Sequence, residues 1–149
     1  MAVAVAWCIA CAGVLPGWAA SYSWTNTTAV LTNWNIASQW EPPLDFPHAA
    51  GDVANLTNDF TGAQMIYLNQ SSITAGVLNI GDVNNTHGVI ITNNATAGTL
   101  VFDNMGSVGQ VNQSSGSFGD TLAVPVQLVA GLAVSNASAS KALTISGVI

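Results

Sequence analysis

The sequence predicts an all-β chain folded as a β-solenoid, a parallel β-helix-like stack of short strands. Three observations lead there: a recurring eleven-residue step between short apolar runs, period-two alternation inside each run, and Gly, Asn or Asp at the junctions. The clearest runs are Leu78-Asn79-Ile80-Gly81-Asp82, Val89-Ile90-Ile91-Thr92-Asn93 and Leu100-Val101-Phe102-Asp103-Asn104. The step continues through Val111-Asn112-Gln113 and Leu122-Ala123-Val124, and with one residue dropped it reaches Leu132-Ala133-Val134-Ser135-Asn136 and Leu143-Thr144-Ile145-Ser146-Gly147. In the other direction, Ile66-Tyr67-Leu68-Asn69 and Val53-Ala54-Asn55-Leu56 join the series with altered spacing.

Each run reads as one short strand and one turn. An eleven-residue period also fits a right-handed helical supercoil. Val, Ile, Thr and Phe alternating in twos between Gly, Asn and Asp breaks favour strands instead. Equivalent positions keep equivalent chemistry, as stacking requires when each residue sits on its counterpart one rung below. That places a solenoid with about two strands per coil ahead of an antiparallel β-sandwich or a small barrel. Alternation puts Leu78, Ile80, Leu100, Phe102, Leu132, Val134, Leu143 and Ile145 in one shared core. Asn69, Asp82, Asn93, Asn104 and Asn136 fall at strand ends, where Asn and Asp tolerate left-handed backbone and bond their own main chain. Stacked Asn side chains would add a ladder of hydrogen bonds along the axis.

The repeat region spans residues 53–149 and is expected to be incomplete at its C-terminus. Residues 21–52 break the pattern: Trp24, Trp34 and Trp40 with Pro42, Pro43 and Pro47 form a dissimilar block, as an N-terminal cap over the first rung's unpaired edge would. Residues 1–20 read as a cleaved signal peptide, with an uncharged apolar run from Ala2 to Val14, the breakers Pro16 and Gly17, and small residues Ala19-Ala20 at the cut. Cys8 and Cys11 lie inside this leader, so the mature chain is expected to lack cysteine and any zinc–thiolate site.

Composition narrows the function classes. At 149 residues the chain is one domain. Charged residues are 5% of it, against about 25% in an ordinary soluble domain, so Asn, Ser, Thr and Gln must keep the surface wet. One Lys and no Arg against seven carboxylates, a net charge of -6, exclude nucleic acid as a partner and disfavour phosphate ligands and anionic membranes. The 50% hydrophobic content argues against disorder.

Tyr22-Ser23-Trp24-Thr25-Asn26, Asn33-Trp34, Ser38-Gln39-Trp40 and Gly51-Asp52-Val53-Ala54-Asn55-Leu56 together resemble the opening of bacterial passenger proteins with autotransporter-associated β-strand repeats. The resemblance continues through Val77-Leu78-Asn79-Ile80-Gly81-Asp82, Gly98-Thr99-Leu100-Val101-Phe102-Asp103-Asn104 and Ala142-Leu143-Thr144-Ile145-Ser146-Gly147. It implies a β-helical passenger exported across the inner membrane and displayed at the cell surface or outer membrane, or secreted. Such proteins carry a translocating barrel or sorting tail that this sequence does not reach by Ile149. The resemblance thus implies an N-terminal fragment, with further repeats after Ile149.

Candidate chemistry is sparse. Glycosidic hydrolysis needs two carboxylates held at a set separation, and Asp82, Asp103 and Asp120 are the candidates, against the simpler role of turn-forming Asp. Trp34 and Trp40 are candidate sugar-stacking side chains, against a hydrophobic plug in which Trp24 joins them. His48 and His87 read as turn residues without a second ligand at metal spacing, and no Gly-x-Ser-x-Gly elbow is present. Sequons begin at Asn26, Asn55, Asn69, Asn84, Asn94, Asn112 and Asn136, and the abundance of Asn, Ser and Thr accounts for them. The expected function is therefore a structural or adhesive passenger segment without catalysis, metal or cofactor. The alternative is a carbohydrate-binding or carbohydrate-active module, whose partner would be surface polysaccharide or another cell-surface molecule. A chain ending on an unpaired strand is also expected to self-associate.

Overall fold

The computed structural model describes residues 18–69 and 72–149, so the apolar run and cysteines of the predicted leader lie outside the described residues. In chain order the strands are β1 Ser21–Trp24, β2 Val30–Asn33, β3 Trp40–Glu41, β4 Val53–Leu56, β5 Gln64–Tyr67, β6 Ile73–Ala75 and β7 Val77–Ile80. They continue as β8 Val89–Thr92, β9 Leu100–Phe102, β10 Gly109–Gln113, β11 Asp120–Ala123, β12 Val126–Leu128, β13 Leu132–Asn136 and β14 Leu143–Ile145. One 3₁₀ turn covers Ala37–Gln39. The described chain is all-β.

Three sheets form, ordered β13-β10-β7-β4-β1-β3, β14-β11-β8-β5-β2 and β12-β9-β6. Apart from β3, each strand is bonded to the strand three places further along the chain, and these pairings are all parallel. The antiparallel sandwich is thereby overturned. So is the estimate of two strands per coil: Leu78, Val89 and Leu100 begin successive units yet lie in three different sheets, and only the third step, to Val111, returns to the partner of Leu78. An eleven-residue unit carries one strand and one turn, and its sequence does not say how sharply the turn bends.

Alternation decides which side chains meet. In the six-stranded sheet Tyr22, Ala54, Leu78 and Val111 stack in one inward column. Ile66, Ile91 and Leu122 do the same in the five-stranded sheet, and Ile73, Leu100 and Val126 in the three-stranded one. All belong to one hydrophobic cluster fed by the three sheets. Burying each such side chain contributes about 1.5–3 kcal/mol.

Of the predicted core, Leu78, Ile80, Leu100 and Phe102 are fully buried. Leu132, Leu143 and Ile145 pack against the cluster while partly buried. Val134 departs from the expectation at 52% exposed, although its register partner Val111 is buried. The cause is position: β13 is the outermost strand of its sheet and nothing among the described residues covers it.

The opposite end is closed. The block of residues 21–52, expected to stand apart from the repeat, opens with β1 and β2, which pair in register with β4 and β5. The chain then turns back, and β3 lies antiparallel on β1, matching Trp24 with Trp40. Trp24, Trp34 and Trp40 are at most 1% exposed and cluster with ring centroids 5.0 and 4.9 Å apart. Each such aromatic pair adds about 0.5–1.5 kcal/mol beyond its burial.

Candidate functional site

The polar groups that most resemble a site are buried carboxylates where the chain passes between sheets. Asp82 follows β7 after Gly81, whose φ of +127° is a backbone state that side-chain-bearing residues avoid. That kink turns Asp82 inward, where it is fully buried. Its Oδ2 accepts the backbone N–H of Thr86 at 2.9 Å and of His87 at 2.8 Å, and the Thr86 hydroxyl at 2.8 Å. Its Oδ1 accepts the N–H of Phe60 at 3.1 Å. Burial alone would raise the Asp82 pKa; the bonds from Thr86, His87 and Phe60 outweigh it and lower the value to about 2.

Asp120, 1% exposed, opens β11 and repeats the device. Its Oδ1 accepts the N–H of Val89, while its Oδ2 accepts the Gln113 side-chain amide at 2.8 Å and the Ser117 hydroxyl. Asp52, 2% exposed, accepts from the N–H groups of Ala20, His48 and Ala49 at 3.0, 3.1 and 3.0 Å. Sequence reasoning passed over Asp52, although Gly51-Asp52 repeats the Gly-Asp pair of Gly81-Asp82.

The three candidate acids do not form one group. Asp82 lies between β7 and β8, where the six-stranded sheet passes to the five-stranded one, and Asp103 between β9 and β10, where the three-stranded sheet passes to the six-stranded one, so the two sit at different corners. Asp103 is partly exposed and its Oδ1 holds the N–H of Met105, a turn residue with φ of +52°. Asp82 and Asp120 do share a corner: a methyl group built on Gly81 would lie 3.2 Å from the Asp120 Oδ2. Both carboxylates are engaged by protein donors there. Close stacking at this corner also requires glycine at Gly88, where a Cβ would meet the Gly119 carbonyl oxygen at 2.3 Å.

Trp34 and Trp40 offer no face to a sugar, since both are 0% exposed. Their indole N–H groups donate inward, Trp34 to the Pro47 carbonyl and Trp40 to the Trp34 carbonyl, each at 2.8 Å. Trp24 donates to Gln64 Oε1 at 3.2 Å. His48 Nδ1 lies 2.8 Å from the Phe46 carbonyl and 3.5 Å from Asp45, and His87 Nδ1 lies 2.8 Å from the Phe60 carbonyl. Among the described residues no three His, Cys, Asp or Glu side chains gather as a metal site would need.

Mid-strand asparagines form a feature that the sequence pattern did not single out. Asn55, Asn79 and Asn112 share one outward register column of the six-stranded sheet. The Asn112 amide donates to Asn79 Oδ1 at 3.0 Å, Asn79 donates to Asn55 Oδ1 at 2.8 Å, and Asn55 donates to the Ser21 hydroxyl and the Tyr22 carbonyl at 3.0 Å each. A ladder was expected at the strand-end asparagines. Those mostly close their own turns: Asn93 brackets Gly98 with two 2.9 Å bonds, and Asn136 reaches the Lys141 carbonyl. Asn69, which donates to Asn33 Oδ1 at 2.8 Å, does link two strands.

No protein-family model, curated protein or solved structure matches this chain.

Proposed function

We propose that the chain is a structural segment of an exported bacterial surface protein, a rigid β-solenoid of three strands per coil presented outside the cell, with no catalytic role. One observation carries this: parallel register runs unbroken through five successive strands, from Ser23 through Asn55, Asn79 and Asn112 to Ser135. Such stacking gives a stiff body whose length grows with the number of repeats. The buried carboxylates support the same reading, because Asp52, Asp82 and Asp120 spend their acceptor capacity on backbone and side-chain donors that hold the turns. The likeness to passenger repeats supplies the cellular setting.

The experiment is to express the gene with an epitope in the exposed Asn94–Ala97 turn and label intact cells. Antibody access without permeabilisation is expected. Signal confined to lysed cells would refute surface display.

A further inference from the structure

The outward face of the six-stranded sheet carries one unbroken polar column. Glu41 stands opposite Ser23, and the column continues through Asn55, Asn79 and Asn112 to Ser135. Successive strands place its groups about 4.8 Å apart. The neighbouring outward column, Ser21-Val53-Val77-Gln110-Ala133, is small and uncharged. The other faces lack this continuity: the five-stranded sheet presents Leu31, Met65, Ile90, Thr121 and Thr144 in sequence.

The ladder also leaves capacity unused. A side-chain amide has two N–H donors and an oxygen with two lone pairs. Asn79 and Asn112 each commit one N–H to the next asparagine, leaving the second free among the described residues. The Asn112 oxygen, at the end of the chain of donors, has no hydrogen-bond partner among the described residues. Linked amides polarise one another and arrive already oriented, so a ligand that meets them loses little side-chain freedom.

We infer that this face binds an extended, neutral, β-linked polysaccharide lying along the column. The charge balance selects neutrality, because a chain at net -6 with a single Lys repels polyanions and a column with one carboxylate offers little to a cation. The repeat selects an extended chain: in a flat β-linked glycan alternate sugars are flipped, so the same hydroxyl edge returns every second sugar, about two strand spacings along, in step with every second group of the column. The small side chains of Val53, Val77 and Ala133 leave room for the sugar's C–H face beside the hydrogen-bonding column. The inference names a ligand class for the displayed segment and rests on that proposed role only for its biological setting.

The test is retention of the purified chain on microcrystalline cellulose and chitin, with granular starch as the α-linked comparison, for the parent, Asn79→Leu and Gln110→Arg. Gln110 is exposed, so Gln110→Arg covers the face without touching the ladder. Retention on a β-linked matrix and not on starch is expected, weakened about tenfold in both variants at unchanged circular dichroism. Should Asn79→Leu unfold, Gln110→Arg decides alone. Absence of retention on both β-linked matrices, equal retention on starch, or retention unaffected by Gln110→Arg would overturn the inference. So would a dimer in sedimentation that Gln110→Arg dissociates without glycan retention, since the face would then belong to a second copy. Column-dependent binding by a chain that surface labelling finds inside cells would leave this inference standing and remove the display role.

Discussion

Asp120 accepts through Oδ1 the backbone N–H of Val89, 31 positions earlier, at 2.9 Å. Val89 begins the neighbouring parallel strand, so this one bond ties two levels of the five-stranded sheet at their shared corner. Asp82 does the same one level lower, reaching the Phe60 N–H at 3.1 Å. A buried donor left without an acceptor costs about 1–3 kcal/mol, and each carboxylate serves several. Asp82→Ala and Asp120→Ala should therefore each lose roughly 3 kcal/mol or more. Asp103→Ala, which frees only the Met105 N–H in an exposed turn, should cost under about 1 kcal/mol. Urea midpoints at unchanged m-value measure all three; equal losses would remove the corner role.

Acid should reveal the same contact. The Asp82 pKa falls from an ordinary 3.8 to about 2 on folding, because its hydrogen-bond donors outweigh burial. A depressed carboxylate stabilises the fold fully above its unfolded value and loses that contribution as pH drops through the folded one. The contribution of Asp82 should hold from neutrality to about pH 4 and disappear toward pH 2. Comparison of thermal midpoints for the parent and Asp82→Asn from pH 7 to pH 2 gives the check. The gap between them should narrow across that acid window; a constant gap would show that the charge of Asp82 is not what stabilises.

Much of this architecture was legible because burial repeats with the chain. Leu78, Val89, Leu100, Val111 and Leu122, one per eleven-residue step, all begin or lie within strands and are all fully buried. The number of strands per turn was not legible, since it depends on how turns such as Gly81–Gly88 and Asp103–Val108 bend, and bending leaves no period in the sequence. The pairing of Asp82 with Asp103 failed for that reason: one step moves a residue to another sheet. The Asn55-Asn79-Asn112 ladder was hidden because unequal loops separate its members, by 24 and then 33 positions.

Core substitutions should separate the covered strands from the outermost ones. Leu100→Ala removes a fully buried side chain and should cost about 2–5 kcal/mol, through lost transfer energy and the cavity left behind. Val134→Ala alters a position in the same alternation that is half open to water, and should cost under about 1 kcal/mol. Chemical denaturation of the two variants tests this. Similar losses would mean that β13 is covered in solution.

That open end leads to the last expectation. β13 and β14 are each bonded to a strand along one edge only, so their other edges present unpaired backbone groups, whereas β12 has its Val126 N–H bonded to the Val148 carbonyl at 2.8 Å. Inward-facing Leu132, Leu143 and Ile145 are partly exposed beside them, and Val134, Val148 and Ile149 are exposed by 52%, 80% and 71%. Lys141 is the sole cation to discourage pairing, and its ammonium is drawn over the Phe118 ring, 4.2 Å from the centroid. At the other end the tryptophan cluster and β3 close the core, so association through strand edges should proceed from β13 and β14. The isolated 149-residue chain should therefore form concentration-dependent oligomers in light scattering, and Val134→Lys, which places a charge on the outermost strand of the longest sheet, should shift it toward monomer. Appending a second copy of the β12–β14 segment should have the same effect by covering that side. A chain that stays monomeric at high concentration would show that these edges are protected, and would count against the stacked-repeat reading.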